Sequence, residues 1–298
     1  AGNAATADTS ESFTYDITAP TSTTAVEAVT GSGAGNEGDV VSITLNPSED
    51  VGTPVCTFTD GSGAMADTSV TYTTSGDDTH IASVTVDNAD QDGDVGFSCT
   101  YSDLAGNAIA SAITSPSSGA VTIDNTHPSI SSVEFASGDY VNNAEDESAI
   151  NLVIITSGAE DDETVTATLN SAAYTCTLTS NTCTAVITSA GLKALSEASH
   201  SFSVAVSDTA GNAATAHTSE SFTYDITAPT STTSVESVNG NGNANDGDVL
   251  SITMDPSETV GTPVCTFADS NSAMEDTSVT YTTSNPDTHI ASITVHND

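Results

Sequence analysis

Residues 1–88 recur as residues 210–297 at a constant offset of 209, without a gap. AGNAATADTSESFTYDITAPTSTT at Ala1 returns as AGNAATAHTSESFTYDITAPTSTT at Ala210; VGTPVCTF at Val51 returns at Val260, and TSVTYTTS at Thr68 at Thr277. Self-similarity at a fixed offset is the signature of an array of repeated units. A shorter period lies inside it. SDLAGN (Ser102–Asn107) recurs as SDTAGN (Ser207–Asn212), and TYDITAP (Thr14–Pro20), TIDNTHP (Thr122–Pro128) and TYDITAP (Thr223–Pro229) punctuate the chain. Modules therefore start at Pro20, Pro128 and Pro229. Residues 1–19 read as the last strand of a preceding type-two module and 20–127 as a type-one module. Residues 128–228 read as a type-two module, and 229–298 as a type-one module cut before its last strands.

Within each module, short runs of period two are bounded by Gly, Asn, Asp and Pro, the pattern of strands and turns. In residues 20–127 strands are expected near 22–30, 39–46, 53–59, 68–74, 80–87, 95–102 and 118–124. Seven strands in about 100 residues, with a turn every 8–12, predict a β-sandwich. The chain is thus expected to be all-β, a linear array of tandem Ig-like sandwiches. Only SAGLKALSEA (Ser189–Ala198) reads as helical, with Leu192 and Leu195 on one apolar face. Abundant Val and Thr suit a thin pleated core.

Charge restricts the partners. The 298 residues carry 41 acidic side chains and one basic one, Lys193. Nucleic acid and anionic lipid both require Lys or Arg contacts, so neither is an expected partner. No apolar run is long enough to span a membrane. A disordered acidic tail conflicts with the regular Val/Ile/Thr alternation; halophilic adaptation and neutralisation by extracellular cations remain. No N-x-[ST] sequon is present, since Asn46 precedes Pro47 and Asn181 leads to Cys183.

Five cysteines follow the repeat. Cys56 and Cys99 belong to one type-one module, and Cys176 and Cys183 flank the turn TSNT of the type-two module and are expected to face each other across a hairpin. Cys265 is the repeat mate of Cys56; the mate of Cys99 falls past residue 298, so Cys265 is expected to be unpaired by truncation. The expected bridges are Cys56–Cys99 and Cys176–Cys183, with loop-closure contributions of about 4 and about 2.5 kcal/mol. Such bridges belong to an oxidising compartment.

The phrases SD-x-AGN and YDITAPT, about 15 residues apart, together with DGDVLSITMDPSETVGTP and its SE-x-V turn, resemble the Ig-like repeats of large bacterial surface adhesins and biofilm proteins. That resemblance implies a stiff extracellular extender that holds a terminal domain away from the cell, with Ca²⁺ at module junctions and neighbouring modules of the same chain as partners. The alternative is a repeating subunit of an extracellular filament, sheath or flagellar hair, with copies of the chain in lateral contact through edge strands. A carbohydrate-binding module, which needs exposed aromatics, is the weakest of the three.

Calcium takes six to eight oxygen ligands, so clustered loop carboxylates are the candidate sites. Asp16, Asp124 and Asp225 each end a last strand before a linker Pro, and Asp103 and Asp208 open the AGN turns. DNADQDGDVG supplies Asp87, Asp90, Asp92 and Asp94 around Gly93. The loop with Glu37 and Asp39, and its mate with Asp246 and Asp248, reads as a solvated turn. For Asp16, Asp124, Asp225, Asp103 and Asp208 the competing assignment is an Asx turn that bonds only its own backbone. Enzyme signatures fail. Gly33, Gly35 and Gly38 fit GxGxxG but precede a strand, the six histidines have no metal spacing, and no GxSxG is present. His80 and His289 are expected at the surface or on an edge.

Overall fold

The computed structural model describes residues 12–28, 33–75, 78–219, 221–237, 243–268, 278–284 and 288–296. The predicted segment 1–19 therefore lies partly outside the described residues, as do residues 29–30 of the predicted 22–30 strand. The chain divides into two compact units, Ala1–Asp225 and Ile226–Asp298.

The first unit opens with β1 (Ser22–Ala28), β2 (Ala34–Gly35), β3 (Val40–Pro47), β4 (Val55–Thr59), β5 (Thr71–Thr74), β6 (His80–Thr85), β7 (Gly93–Asp94), β8 (Gly96–Thr100) and β9 (Thr122–Ile123). They form a sheet of order β1-β3-β6-β5, a β4-β8 pair and a small β2-β9-β7 sheet. The period-two pattern builds the core. Val41, Ile43 and Leu45 of β3 are fully buried, while Ser42 and Thr44 between them are not. Ala82 and Val84 of β6 join them from the same sheet, and Cys56, Phe58, Phe97 and Cys99 face them from β4 and β8. A strand forms in each of the seven expected regions, most a few residues shorter than read; the expected 118–124 strand is reduced to Thr122–Ile123.

The same unit continues with β10 (Ser129–Phe135), β11 (Tyr140–Val141), β12 (Ile150–Ser157), β13 (Thr164–Leu169), β14 (Ala172–Thr177) and β15 (Thr182–Ile187). Then come α1 (Ser189–Leu192), β16 (Ala198–His200), β17 (Ser203–Ala205), β18 (His217–Thr218) and β19 (Phe222–Tyr224). These build sheets of order β10-β12-β15, β14-β13-β17-β18 and β11-β19-β16 around a separate core. Phe135, Phe202 and Phe222 form its aromatic centre, with ring centroids 4.8–5.6 Å apart. Burying a side chain such as Phe202 contributes about 1.5–3 kcal/mol.

One strand changes sides between the two sandwiches. β5 pairs with β6 in the sheet that also holds β1 and β3, whereas β14 pairs with β13 in the opposite sheet. This corrects the expected hairpin at Cys176 and Cys183. The two cysteines are joined, but β14 and β15 belong to different sheets, so the bridge staples one sheet to the other. Cys56 and Cys99 instead sit opposite each other within the β4-β8 pair. The Cys99 N–H and C=O both bond Ile113 on its other side, which makes Cys56–Cys99 a close, non-hydrogen-bonded pair.

The expected helix is a single turn. Thr188 caps it by accepting from the Gly191 N–H, and Lys193 ends it. Leu192 and Leu195 are both buried, as their spacing requires, but the chain turns out of the helix between them to enter β16.

The second unit holds β20 (Ser231–Ser237), β21 (Val249–Pro256), β22 (Thr280–Thr283) and β23 (His289–Thr294), in the order β20-β21-β23-β22. Its registers repeat those of β1, β3, β6 and β5: Ser22 faces Pro47, and Ser231 faces Pro256. Cys265 is a free thiol. Its N–H donates to the Tyr281 hydroxyl at 2.9 Å, as that of Cys56 does to Tyr72 at 2.8 Å. His289 corrects the surface expectation: it is 7% exposed. It starts an interior strand, between β21 and β22.

Candidate metal centre

The SD-x-AGN motif makes a tight loop whose geometry repeats. Asp103 receives the Asn107 N–H on Oδ1 (2.7 Å) and its Nδ2 on Oδ2 (2.7 Å); Asp208 receives the same two groups of Asn212 at 2.8 and 3.0 Å. Gly106 and Gly211 sit at φ of 96° and 98°, a region a side chain would strain. Each Asn keeps one donor direction for the preceding segment. Asn107 Nδ2 donates to the Asp16 carbonyl (3.1 Å), and Asn212 Nδ2 to the Asp124 carbonyl (2.7 Å). The loop thereby clasps the linker that enters its own sandwich.

At the first junction this clasp gathers carboxylates. Asp16, Glu49 and Asp103 each place one oxygen within 4.8 Å of the others, and among the described residues no other group of three does so. They line an open cleft of about 460 Å³ with Thr14, Asp50, Leu104 and Ala105. Glu49 comes from the turn after β3 and was missed at the level of sequence; its signal is the SE-x-V turn, shared by Glu258. Burial pushes the Glu49 carboxyl above its usual range, and the charges of Asp16 and Asp103 and a hydrogen bond with Asp16 push it further. Burial also raises Asp103, but bonds from the Asn107 side chain and from the Asn107, Gly106 and Ala105 backbone outweigh it and hold the carboxyl below its usual range. Asp16 accepts from the Thr18 N–H as well, an Asx turn coexisting with the cluster.

The second junction has the same parts in another arrangement. Asp124 is raised by burial first, then by the nearby charges of Asp208, Asp92 and Glu160, against a bond from the Thr126 N–H. The glutamates here are Glu160, which accepts from the Thr209 N–H (3.0 Å) and hydroxyl (3.2 Å), and Glu163, which accepts from the same hydroxyl (3.1 Å). The backbone bond lowers the Glu160 carboxyl despite burial. Beside Asp124, Asn125 donates from Nδ2 to the Asp87 and Asp90 carbonyls, while its Oδ1 is buried without a hydrogen-bond partner. Asp225 ends β19 with its N–H on the Val141 carbonyl (3.0 Å), as Asp124 ends β9 on Gly35.

The other sequence candidates do not converge. Asp90 is 2% exposed, and its two oxygens receive the Ala66 and Asp87 N–H groups at 2.6 and 2.8 Å. Asp92 bonds the Asn125 N–H and the Thr126 hydroxyl, Asp87 bonds the Ala89 N–H, and Asp94 stands exposed on β7. The loop is an Asx-turn network that ties 87–92 to residues 66 and 125–126. Asp39 and Asp248 likewise hold their turns through the Asn36 and Asn245 N–H groups.

Calcium–oxygen distances of about 2.3–2.6 Å separate ligands on opposite sides of an ion by up to about 5 Å. The spacing of Asp16, Glu49 and Asp103 matches that, and their hard oxygen donors match the ion. The residues present therefore fit a divalent cation, which Asp16, Glu49 and Asp103 would hold through their carboxylates.

No protein-family model matches the chain, and no curated protein is similar to it. Among solved structures, a Ca²⁺-stabilised adhesin with which an Antarctic bacterium binds ice is similar at 21% identity and a TM-score of 0.39, over 79% of this chain and 57% of that one. This chain thus spans little more than half of that relative. A 1.5-MDa bacterial ice-binding adhesin is similar at 21% identity and TM-score 0.42, over 94% and 88% of the two chains. The I9–I11 tandem of titin follows at 11% and 0.30, over 89% and 86%. Likenesses this low carry no functional argument; the sandwich architecture rests on the sheets themselves. Among the described residues no helix is long and apolar enough to cross a membrane.

Proposed function

We infer that this chain is a non-catalytic stretch of an extracellular adhesive or structural array, in which calcium held where the linker around Asp16 enters the first sandwich fixes that linker to it. The observation that carries this is the convergence of Asp16, from the linker, with Glu49 and Asp103, from two loops of the following sandwich. We read modules at 20–127, 128–228 and 229–298, with residues 1–19 as the closing strand and linker of a preceding module. Phe13 and Tyr15 are 89% and 78% exposed, whereas their repeat mates Phe222 and Tyr224 are core residues at 2%. The aromatic pair is thus the inward face of a last strand, which favours this reading over a sugar-binding platform.

In this reading the linker Asp and the two loop carboxylates are the ligands, and the Asn clasp pre-positions the linker. Bound calcium supplies positive charge and coordination that three converging carboxylates otherwise lack. The two disulfides are in keeping with an oxidising, extracellular compartment. Small-angle scattering of the full chain tests the proposal. It predicts a larger maximum dimension in 10 mM Ca²⁺ than in EDTA, and loss of that difference in Asp16→Asn/Glu49→Gln/Asp103→Asn. An unchanged profile overturns it, and growth of particle mass with concentration favours the filament instead.

A further inference from the structure

The two sandwiches of the first unit close very different lengths of chain with their disulfides. Cys56 and Cys99 are 43 positions apart, Cys176 and Cys183 only 7. The first bridge encloses β4 through β8, with the core residues Phe58, Met65, Val84 and Phe97 inside the loop, and leaves β1, β2, β3 and β9 outside. The second encloses little more than the turn between β14 and β15.

The strands near the two ends of each sandwich pair in parallel, β2 with β9 and β11 with β19. Tension along the chain pulls such partners in opposite directions and loads their hydrogen bonds in shear. Once they part, the path of force in the first sandwich runs from β3 to Cys56, through the sulfur–sulfur bond to Cys99, and on to β9. The part of the β4-β8 ladder inside the bridge, from Thr57 opposite Ser98 to Thr59 opposite Gly96, lies beside that path and not along it.

We propose that Cys56–Cys99 is a built-in stop on extension. Under tension the first sandwich gives up β1–β3 and β9 and keeps the β4–β8 loop closed, while the second gives up nearly its whole length. The array therefore alternates between a short-travel and a long-travel module. The loop that stays closed also removes its own closure cost from refolding when tension falls. The biological use of this stop rests on the reading of the chain as a load-bearing array; the mechanical behaviour itself does not depend on calcium.

Pulling the full chain by its ends at constant force, with and without dithiothreitol, tests this. Cys56 and Cys99 are 4% and 0% exposed, so the reductant reaches them only after the sandwich opens. The reagent's two thiols become a disulfide as the protein's bridge becomes two thiols. With reductant, opening of the first sandwich is followed by a second step of about 15 nm, from the 43 positions at about 3.5 Å each. The corresponding step from Cys176–Cys183 is about 2 nm, from 7 positions. Both sizes are the same in Ca²⁺ and in EDTA, which separates this result from that of the calcium proposal. Absence of the longer step in reductant, or its appearance without reductant, overturns the stop.

Discussion

The two junctions of the first unit share one scaffold and differ in where their glutamate goes. In both, an AGN loop holds an Asp by two bonds and an Asn reaches back to the carbonyl of the linker Asp. At the second, Thr209 follows Asp208 and its N–H and hydroxyl engage Glu160. At the first, the same place in the motif is Leu104, 75% exposed and with no hydroxyl to offer, and Glu49 joins Asp16 and Asp103. A carboxylate with a local donor is satisfied by the protein. A carboxylate without one remains in the cluster, where a cation is the best available partner. The difference teaches that a repeated motif repeats a backbone; one position inside it decides whether the carboxylates converge.

The largest expected effect comes from removing the loop anchor. Asp208→Ala leaves two donors of buried Asn212 without their acceptor, and the second sandwich should lose about 2–3 kcal/mol in a denaturant melt, with or without calcium. Asp103→Ala should instead abolish most of the calcium response of the first junction. A next, smaller contrast separates the glutamates. For a dissociation constant near 10⁻⁴–10⁻³ M, 10 mM Ca²⁺ should raise the Tm of the first sandwich by roughly 5–15 °C. Glu49→Gln should erase most of that rise, and Glu160→Gln should leave it.

Acidity sharpens the comparison further. The Glu49 carboxyl is raised, so without metal its contribution to stability is present below its unfolded value and is lost as pH climbs through the folded one. Asp60 is the opposite case. The Gln91, Ser62 and Gly63 N–H groups and the Ser62 hydroxyl lower it to about 2 despite burial, so its contribution is present above its unfolded value and is lost as pH falls toward about 2. Carbon-detected NMR titration should show Glu49 titrating above a free Glu in EDTA and below it in Ca²⁺, with Asp60 unmoved by the ion. The smallest effect is the exchange of one residue: Leu104→Thr should draw Glu49 away and weaken calcium binding several-fold, read by calorimetry.

Much of this was legible before the fold. The strands could be read because Val41, Ile43 and Leu45, or Val165, Ala167 and Leu169, alternate strictly with Ser or Thr. The linker Asp and the AGN Asp could be read because they recur. Glu49 and Glu160 could not, since they lie more than 30 residues in sequence from both of their partners and only the sandwich brings them there. Asp87, Asp90, Asp92 and Asp94 were ambiguous for a physical reason: alternating acids around a glycine suit a calcium loop and an Asx network equally, and the N–H groups that bond Asp87, Asp90 and Asp92 come partly from distant residues 66 and 125. The sheet switch of β14 was hidden because edge strands such as TYTT and AAYTCT carry few core residues to fix their side.

The central claim is that Asp16, Glu49 and Asp103 bind one calcium ion together. Calorimetric titration of the full chain with CaCl₂, set beside the triple variant Asp16→Asn/Glu49→Gln/Asp103→Asn, tests it most directly. The account predicts that the variant binds one ion fewer, with the remaining heats unchanged. Equal stoichiometry and affinity in the two proteins would contradict it.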